Sequence, residues 1–288
     1  MSQSKRVRAP MVPDAPRSIQ KGVPLKLLID ESAIECLALN IFYDYRQFKV
    51  DDFCKTAQQG LQSLSLMERG RHVAMALRTY LPTNYSKAVT ILMNSLTPEG
   101  AYSEEFGLAG FFYLPHGFFI SEFGLDKSHN DGEDPFEVSM DAMFKLTKRF
   151  TAEFAIRDFI IQQPERTLSY LEKWLDDECP HVRRLCSEGT RPKLPWGKRL
   201  QCFVQDPEPT IPFLNALKND ESLYVRRSVA NHLGDIAKDH PELVFSLCEG
   251  WLKQGVSSEV KWVIRHALRH PAKKKNQRAL DLRIAAKG

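Results

Sequence analysis

Residues 164–188 read PERTLSYLEKWLDDECPHVRRLCSE, and residues 207–231 return the pattern 43 positions later as PEPTIPFLNALKNDESLYVRRSVAN. A third, shorter copy begins at HPELVFSLCEGWLKQ and runs into EVKWVIRHALRH. It places Val260, Lys261 and Trp262 where Val225, Arg226 and Arg227 stood 35 positions earlier. Each copy reads as a helix, a short acidic turn and a second helix that opens on a valine and two large residues. A period of about 35 to 45 residues built of helix pairs marks HEAT-type solenoids, in which each pair buries its inner face only by stacking on its neighbours. The repeat predicts an all-α superhelix, a solenoid with a concave basic groove, whose clearest units are 164–206, 207–240 and 241–271.

Upstream, apolar residues recur at three- and four-residue spacing, as in Ala33, Ile34, Leu37 and Ile41, and again in Val73, Ala76, Leu77 and Tyr80. That spacing predicts successive helices, with a break at LPTNYSKAV where Thr83 or Asn84 caps the next one. The aromatic run GFFYLPHGFFI is too interrupted by Pro115 and Gly117 to form a sheet. With 43% hydrophobic residues the chain can fill one continuous domain over 21–272. Residues 1–20, with a basic cluster and three prolines, read as a mobile arm, and 273–288 as a basic tail. Six cysteines without a CxxC pair, and no leader or apolar run long enough for a bilayer, predict a reduced, cytosolic, monomeric chain with no membrane partner, metal or cofactor.

The net charge of +4 does not itself announce nucleic acid, so placement carries that argument. In the repeat register Arg183, Arg226 and Lys261 are equivalent, as are Arg184, Arg227 and Trp262. Second helices of stacked pairs line the concave side, so these cations converge there at about 10 Å per layer, a spacing that can follow a phosphate backbone. The competing reading is a salt-bridge ladder to the acidic turns DDE and NDE of neighbouring repeats. One arginine of each pair is expected to do each job. In EGTRPKLPWGKRL, Arg191, Lys193, Lys198 and Arg199 surround Trp196, which either stacks on a sugar or base or plugs the space between repeats. From Lys261 onward nine cations, including Arg265, face one acid, Asp281. His266 reads as a polar contact or phosphate neighbour.

Chemistry needs something other than cations, and three acids interrupt the pattern: Glu153, Glu122, and Glu188, which occupies the place where the next two repeats carry Asn231 and His266. Glu153, in RFTAEFAIRDF, reads as lying on an apolar helix one turn before Arg157, where an ion pair is a common arrangement. Glu122 follows an aromatic stretch that can exclude water and raise a carboxyl pKa.

The strings FTAEFAIRDFI, HVRRLCSEGTRPKLPWGKRL, DESLYVRRSVANHLGDIAKDHPEL and KWVIRHALRH, with LPHGFFISEFGLD more weakly, resemble the AlkC-like branch of the AlkC/AlkD DNA glycosylases, HEAT-like solenoids that repair alkylated DNA. The resemblance covers roughly residues 25 to 272. It implies a cofactor-free hydrolase whose partner is double-stranded DNA containing alkylated bases. The implied reaction cleaves the N-glycosidic bond of cationic bases, principally 3-methyladenine with 3-methylcytosine as a second candidate, and leaves an abasic site. Such a base leaves without protonation, so the site needs a carboxylate beside the deoxyribose; Glu153 is the first choice and Glu122 the second. The family reaches its lesion without conventional base flipping, with Trp196 or Trp262 as candidates to lie against the sugar. Some relatives add an immunoglobulin-like C-terminal domain, whose DNA contact is expected here to be either dispensed with or replaced by the basic tail. The alternative is a non-catalytic HEAT-like protein that binds damaged or branched DNA.

Overall fold

The computed structural model describes residues 9–98 and 107–287. The described residues are all-helical, with no strand, and the chain divides into two compact units, Met1–Ala155 and Ile156–Gly288. All three recognised repeats fall in the second unit.

The first unit contains α1 (Glu31–Asp44), α2 (Val50–Gln58), α3 (Leu66–Tyr80), α4 (Tyr85–Asn94), α5 (Leu114–Phe123) and α6 (Phe136–Thr147). Short polar residues start them by satisfying the open N–H groups of the first turn. Asp30 accepts from Ala33 N at the head of α1, Ser65 and Glu68 form a capping box on α3, and Asn84 accepts from Lys87 N on α4. The aromatic run becomes a 3-10 turn leading into α5, with Pro115 in the first helical turn, where its missing N–H is harmless. Gly70 on α3 permits a close crossing with α5, because a Cβ there would lie 2.9 Å from the Phe118 ring. The core behind this crossing includes Tyr85 stacked on Phe119 at 6.0 Å.

The N-terminal arm is not loose from residue 9 onward. Buried Asn40 accepts from Met11 N (3.2 Å) and donates to Met11 O (2.7 Å), and Leu108 N donates to Pro16 O. The cluster Lys5, Arg6 and Arg8 lies outside the described residues.

The second unit opens with α7 (Ile156–Gln162) and then builds the repeats. The helix pairs are α8 (Pro164–Lys173) with α9 (Pro180–Glu188), α11 (Ile211–Leu217) with α12 (Leu223–Ile236), and α13 (Pro241–Lys253) with α14 (Ser258–Ala267); a short α10 (Gln201–Gln205) joins the first two. Helix α9 packs on α12 and α12 on α14, so the second helices stack consecutively. Their opening valines, Val182, Val225 and Val260, are all buried. Each such side chain contributes about 1.5–3 kcal/mol, which makes the stack mutually dependent.

The basic tail is also folded. After α15 (Arg269–Lys273), the segment Gln277–Ala285 forms α16, capped by Asn276 and packed on α13, α14 and α15. Arg278 fastens it to α13 through both Glu249 oxygens (2.6 and 2.9 Å) and through Glu242. Periodicity missed this helix because its cations dominate the reading.

Candidate functional site

The paired arginines open α9 and α12, and the first of each pair has a structural task. Arg183 Nη1 donates to the backbone oxygens of Asp177 (2.8 Å) and Glu178 (3.0 Å). Forty-three residues on, Arg226 Nη1 donates to those of Asp220 (2.5 Å) and Glu221 (2.9 Å). The same guanidinium therefore closes the same turn in consecutive repeats. Arg183 also grips the carboxylate of the next turn, with Nε and Nη2 at 2.6 and 3.0 Å from Asp220. This fork-to-fork geometry raises the Arg183 pKa, chiefly through the hydrogen bonds to Asp220. Arg183 is a rung of the salt-bridge ladder.

The second arginines differ from each other. Arg184 lies 4.9 Å over the Tyr224 ring and 3.3 Å from Glu188. Arg227 is exposed, with no ion pair among the described residues.

Glu188 centres a buried polar network. Its carboxylate accepts from Arg191 Nη1 (2.6 Å) and Ser228 Oγ (2.6 Å). Burial pushes its pKa up, but Arg184 and Arg191 outweigh that and hold it below the ordinary value of 4.5. Arg191 spends its remaining donors on Asp235, with Nε at 2.9 Å and Nη2 at 2.8 Å. Beside this network, buried His232 bonds the Ser187 carbonyl through Nδ1, and burial followed by the Arg191 charge depresses its pKa to about 3.

The expected ring of cations around Trp196 is thus mostly paired within the protein. Arg191 is buried, Lys193 pairs with Asp239, and Lys198 lies 2.5 Å from Asp158. Arg199 is exposed. Trp196 does not plug the core: it is 61% exposed and sits at φ 63°, a left-handed conformation rare for a bulky residue. The loop is held from beneath by Arg157, fully buried on α7, which donates to the backbone oxygens of Lys198 and Gly189. Gly197 lets the loop sit close to these side chains, since a Cβ there would approach Leu194 Cδ2 to 2.8 Å and Arg157 Cδ to 3.3 Å. Arg157 is consequently a loop anchor, not a surface cation.

On α14, Trp262 stacks on His266 with ring centroids 4.9 Å apart and planes at 13°. Both are half-buried, as are Lys261 and Arg265. The His266 pKa is lowered by burial and by the charges of Arg269 and Arg227, so its imidazole is neutral near pH 7. Arg265 donates to the Ala286 carbonyl, and Arg269 to Asn231 Oδ1 (2.9 Å) and the His266 carbonyl (2.6 Å). These acceptors are all neutral.

The two candidate acids belong to the first unit. Glu153 lies in the turn ahead of α7 rather than on a helix. Its carboxylate, in a residue 8% exposed, accepts from Thr151 Oγ1 at 2.8 Å, while its own N–H donates back to Thr151 Oγ1 at 3.2 Å. Glu122 is not enclosed by the aromatic run either. Phe119 and Phe123 turn inward, whereas Glu122 faces out and accepts from Arg71 Nε at 2.7 Å. The Arg71 guanidinium in turn covers the Phe118 ring at 5.2 Å. Arg71 and Asp235 were invisible to sequence reasoning, because their partners lie in other elements and no motif marks them, and Thr151 was missed because its segment reads as a helix; Asp220, by contrast, belongs to the acidic NDE turn that the repeat pattern had singled out.

No family model matches the chain. It is 36% identical over 259 residues to the uncharacterised protein YhaZ of Bacillus subtilis (strain 168), covering 90% of this chain and 67% of that one. Among solved structures it is similar to the alkylpurine DNA glycosylase AlkC of Pseudomonas fluorescens, bound to DNA containing an abasic-site analogue. The identity is 38% and the TM-score 0.79, with 90% of this chain and 67% of the other covered. No helix among the described residues is long and apolar enough to cross a membrane. Fold similarity and extended identity coincide along nine-tenths of the sequence, and the chain belongs to the AlkC family.

Proposed function

We propose that this protein is a monofunctional DNA glycosylase that hydrolyses the N-glycosidic bond of cationic alkylbases, 3-methyladenine first and 3-methylcytosine second, leaving an abasic site. The observation that carries the reading is the likeness, at 38% identity over 90% of the chain, to a DNA-bound alkylpurine glycosylase. A methylated base already carries positive charge and departs as a neutral leaving group, so no general acid is required. The demand is for an anion beside the sugar as oxocarbenium character develops, and for a positioned water. Glu153 fits that role best: it is a nearly buried carboxylate whose orientation is fixed by the Thr151 hydroxyl. Glu122, oriented by Arg71, is the second carboxylate.

Duplex phosphates are held by cations of the second unit, foremost the exposed Arg227, with Lys261 and Arg265 on α14 and Arg184 over Tyr224 as further contacts. Trp196 and the Trp262–His266 stack supply flat faces for the deoxyribose, so the lesion is reached without extruding the base. The protein works as a cytoplasmic monomer on nucleoid DNA. The test is to incubate it with methylated DNA and quantify free 3-methyladenine by chromatography. Glu153→Gln is expected to lower the single-turnover rate about 100-fold or more while leaving DNA affinity unchanged. Tight DNA binding by the parent protein without base release would overturn the reading.

A further inference from the structure

We infer that the turn joining α15 to α16, with Lys273, Lys274 and Lys275, is a second, lesion-independent docking surface for duplex phosphates; the inference rests on the DNA-binding part of the reading above and not on base release. All three lysines are exposed, and none has an ion pair among the described residues. They are not carried on a floppy tail. Asn276 caps α16 immediately after them, Arg278 clamps that helix to Glu249 and Glu242, and Arg265 binds its far end at Ala286. The three ammonium groups are therefore displayed from a fixed corner.

A second observation is the backbone. Among the described residues of this unit only two that are not glycine have positive φ, Trp196 at 63° and Lys275 at 61°. Glycine fits that region without strain, and asparagine is the usual substitute. A long cation kept there is an outlier that points to use of the charge.

The position also says what the partner is. Lys273 lies one helical turn after Arg269 on α15, and Arg269 reaches Asn231 on α12. The corner thus extends the run of uncancelled charge from the second helices of the repeats, which suits a backbone that continues past the lesion. An anionic bilayer is disfavoured, since residues 269–277 expose no apolar side chain to insert.

The experiment compares the full chain with Lys275→Gly alone and with Lys273→Gln, Lys274→Gln and Lys275→Gly combined. It reads thermal stability, salt dependence of binding to undamaged and methylated duplex, and single-turnover base release at saturating protein. Lys275→Gly is expected to keep or raise stability, because it relieves the backbone, while weakening binding. A purely structural lysine would give the first effect without the second. The triple variant should lower the slope of log affinity against log salt by about 2.7, roughly 0.9 per phosphate contact. The loss should be equal on damaged and undamaged DNA, with the saturated release rate unchanged. A folded triple variant whose salt slope matches the parent overturns the docking surface, whatever happens to base release. A reduced slope in a protein that releases no base leaves the docking surface standing and overturns the glycosylase reading instead.

Discussion

The first and third repeats both carry cations on and just after their second helices and use them in opposite ways. In the first, Arg183 faces Asp220, while Arg184 and Arg191 converge on Glu188 and Arg191 continues to Asp235. In the third, Arg265 and Arg269 bond only neutral oxygens, and Arg227 of the preceding helix stands exposed beside them. The difference originates in the acid across the gap rather than in the cation. The acidic turn of the second repeat supplies Asp220 to Arg183, whereas the turn of the third reads QGVSSE and places Gly255 where Asp220 stood, so that Arg226, the counterpart of Arg183, has no ion pair among the described residues. Equal register therefore does not imply equal role: charge cancelled between repeats holds the stack together, and charge left over is available to a polyanion.

The sharpest way to break this contrast is Arg191→Met. It removes the guanidinium that joins two buried carboxylates, leaving Glu188 to Arg184 and Asp235 to Lys238, and stability is expected to fall by about 3 kcal/mol in urea unfolding. A loss under 1 kcal/mol would put Arg191 among the spare cations.

A smaller effect comes from pH. His232 is neutral in the fold and protonates more readily when unfolded, so its contribution is complete above about pH 6.5 and declines as pH falls towards its folded value of about 3. The decline amounts to about 2 kcal/mol by pH 5, and Glu188, held below 4.5, adds to it in stronger acid. Unfolding midpoints followed from pH 8 to 4, in the parent and in His232→Gln, check this: the variant should start less stable and show the flatter profile.

Smallest in stability is Arg227→Ala, expected to change it by less than about 0.5 kcal/mol. It should still reduce the salt slope of DNA binding by about 0.9, for all sequences alike. If Arg227→Ala unfolds the protein while Arg191→Met does not, the two repeats have been assigned the wrong way round.

Much of the architecture was readable because stacked pairs repeat their burial: Val182, Val225 and Val260 mark one position three times. Caps such as Asn84 were readable for the same local reason. Long-range polar contacts were not. The arm docks through Asn40, 29 residues from Met11, and Arg157 meets acceptors 32 and 41 residues away. Glu153 was misplaced on a helix because FTAEFAIRDF has helical apolar spacing. The Thr151 side chain instead captures the Glu153 backbone and carboxylate, a local bond that competes with the helix. The candidate site was legible as residue types but not as geometry: the acids were named, while the groups that orient them, Thr151 and Arg71, were not.

Arg157 has one more consequence. By tying the carbonyls of Gly189 and Lys198 to a single buried guanidinium, and with Leu200 N closing onto Pro192 O, the fold orders the Trp196 loop before any ligand arrives. Freezing a mobile loop of this length on contact would oppose association by about 1–2 kcal/mol per residue of lost backbone freedom. Here that entropy was surrendered during folding, so the amides of residues 197 and 200 should resist hydrogen exchange as strongly in the free protein as in any complex.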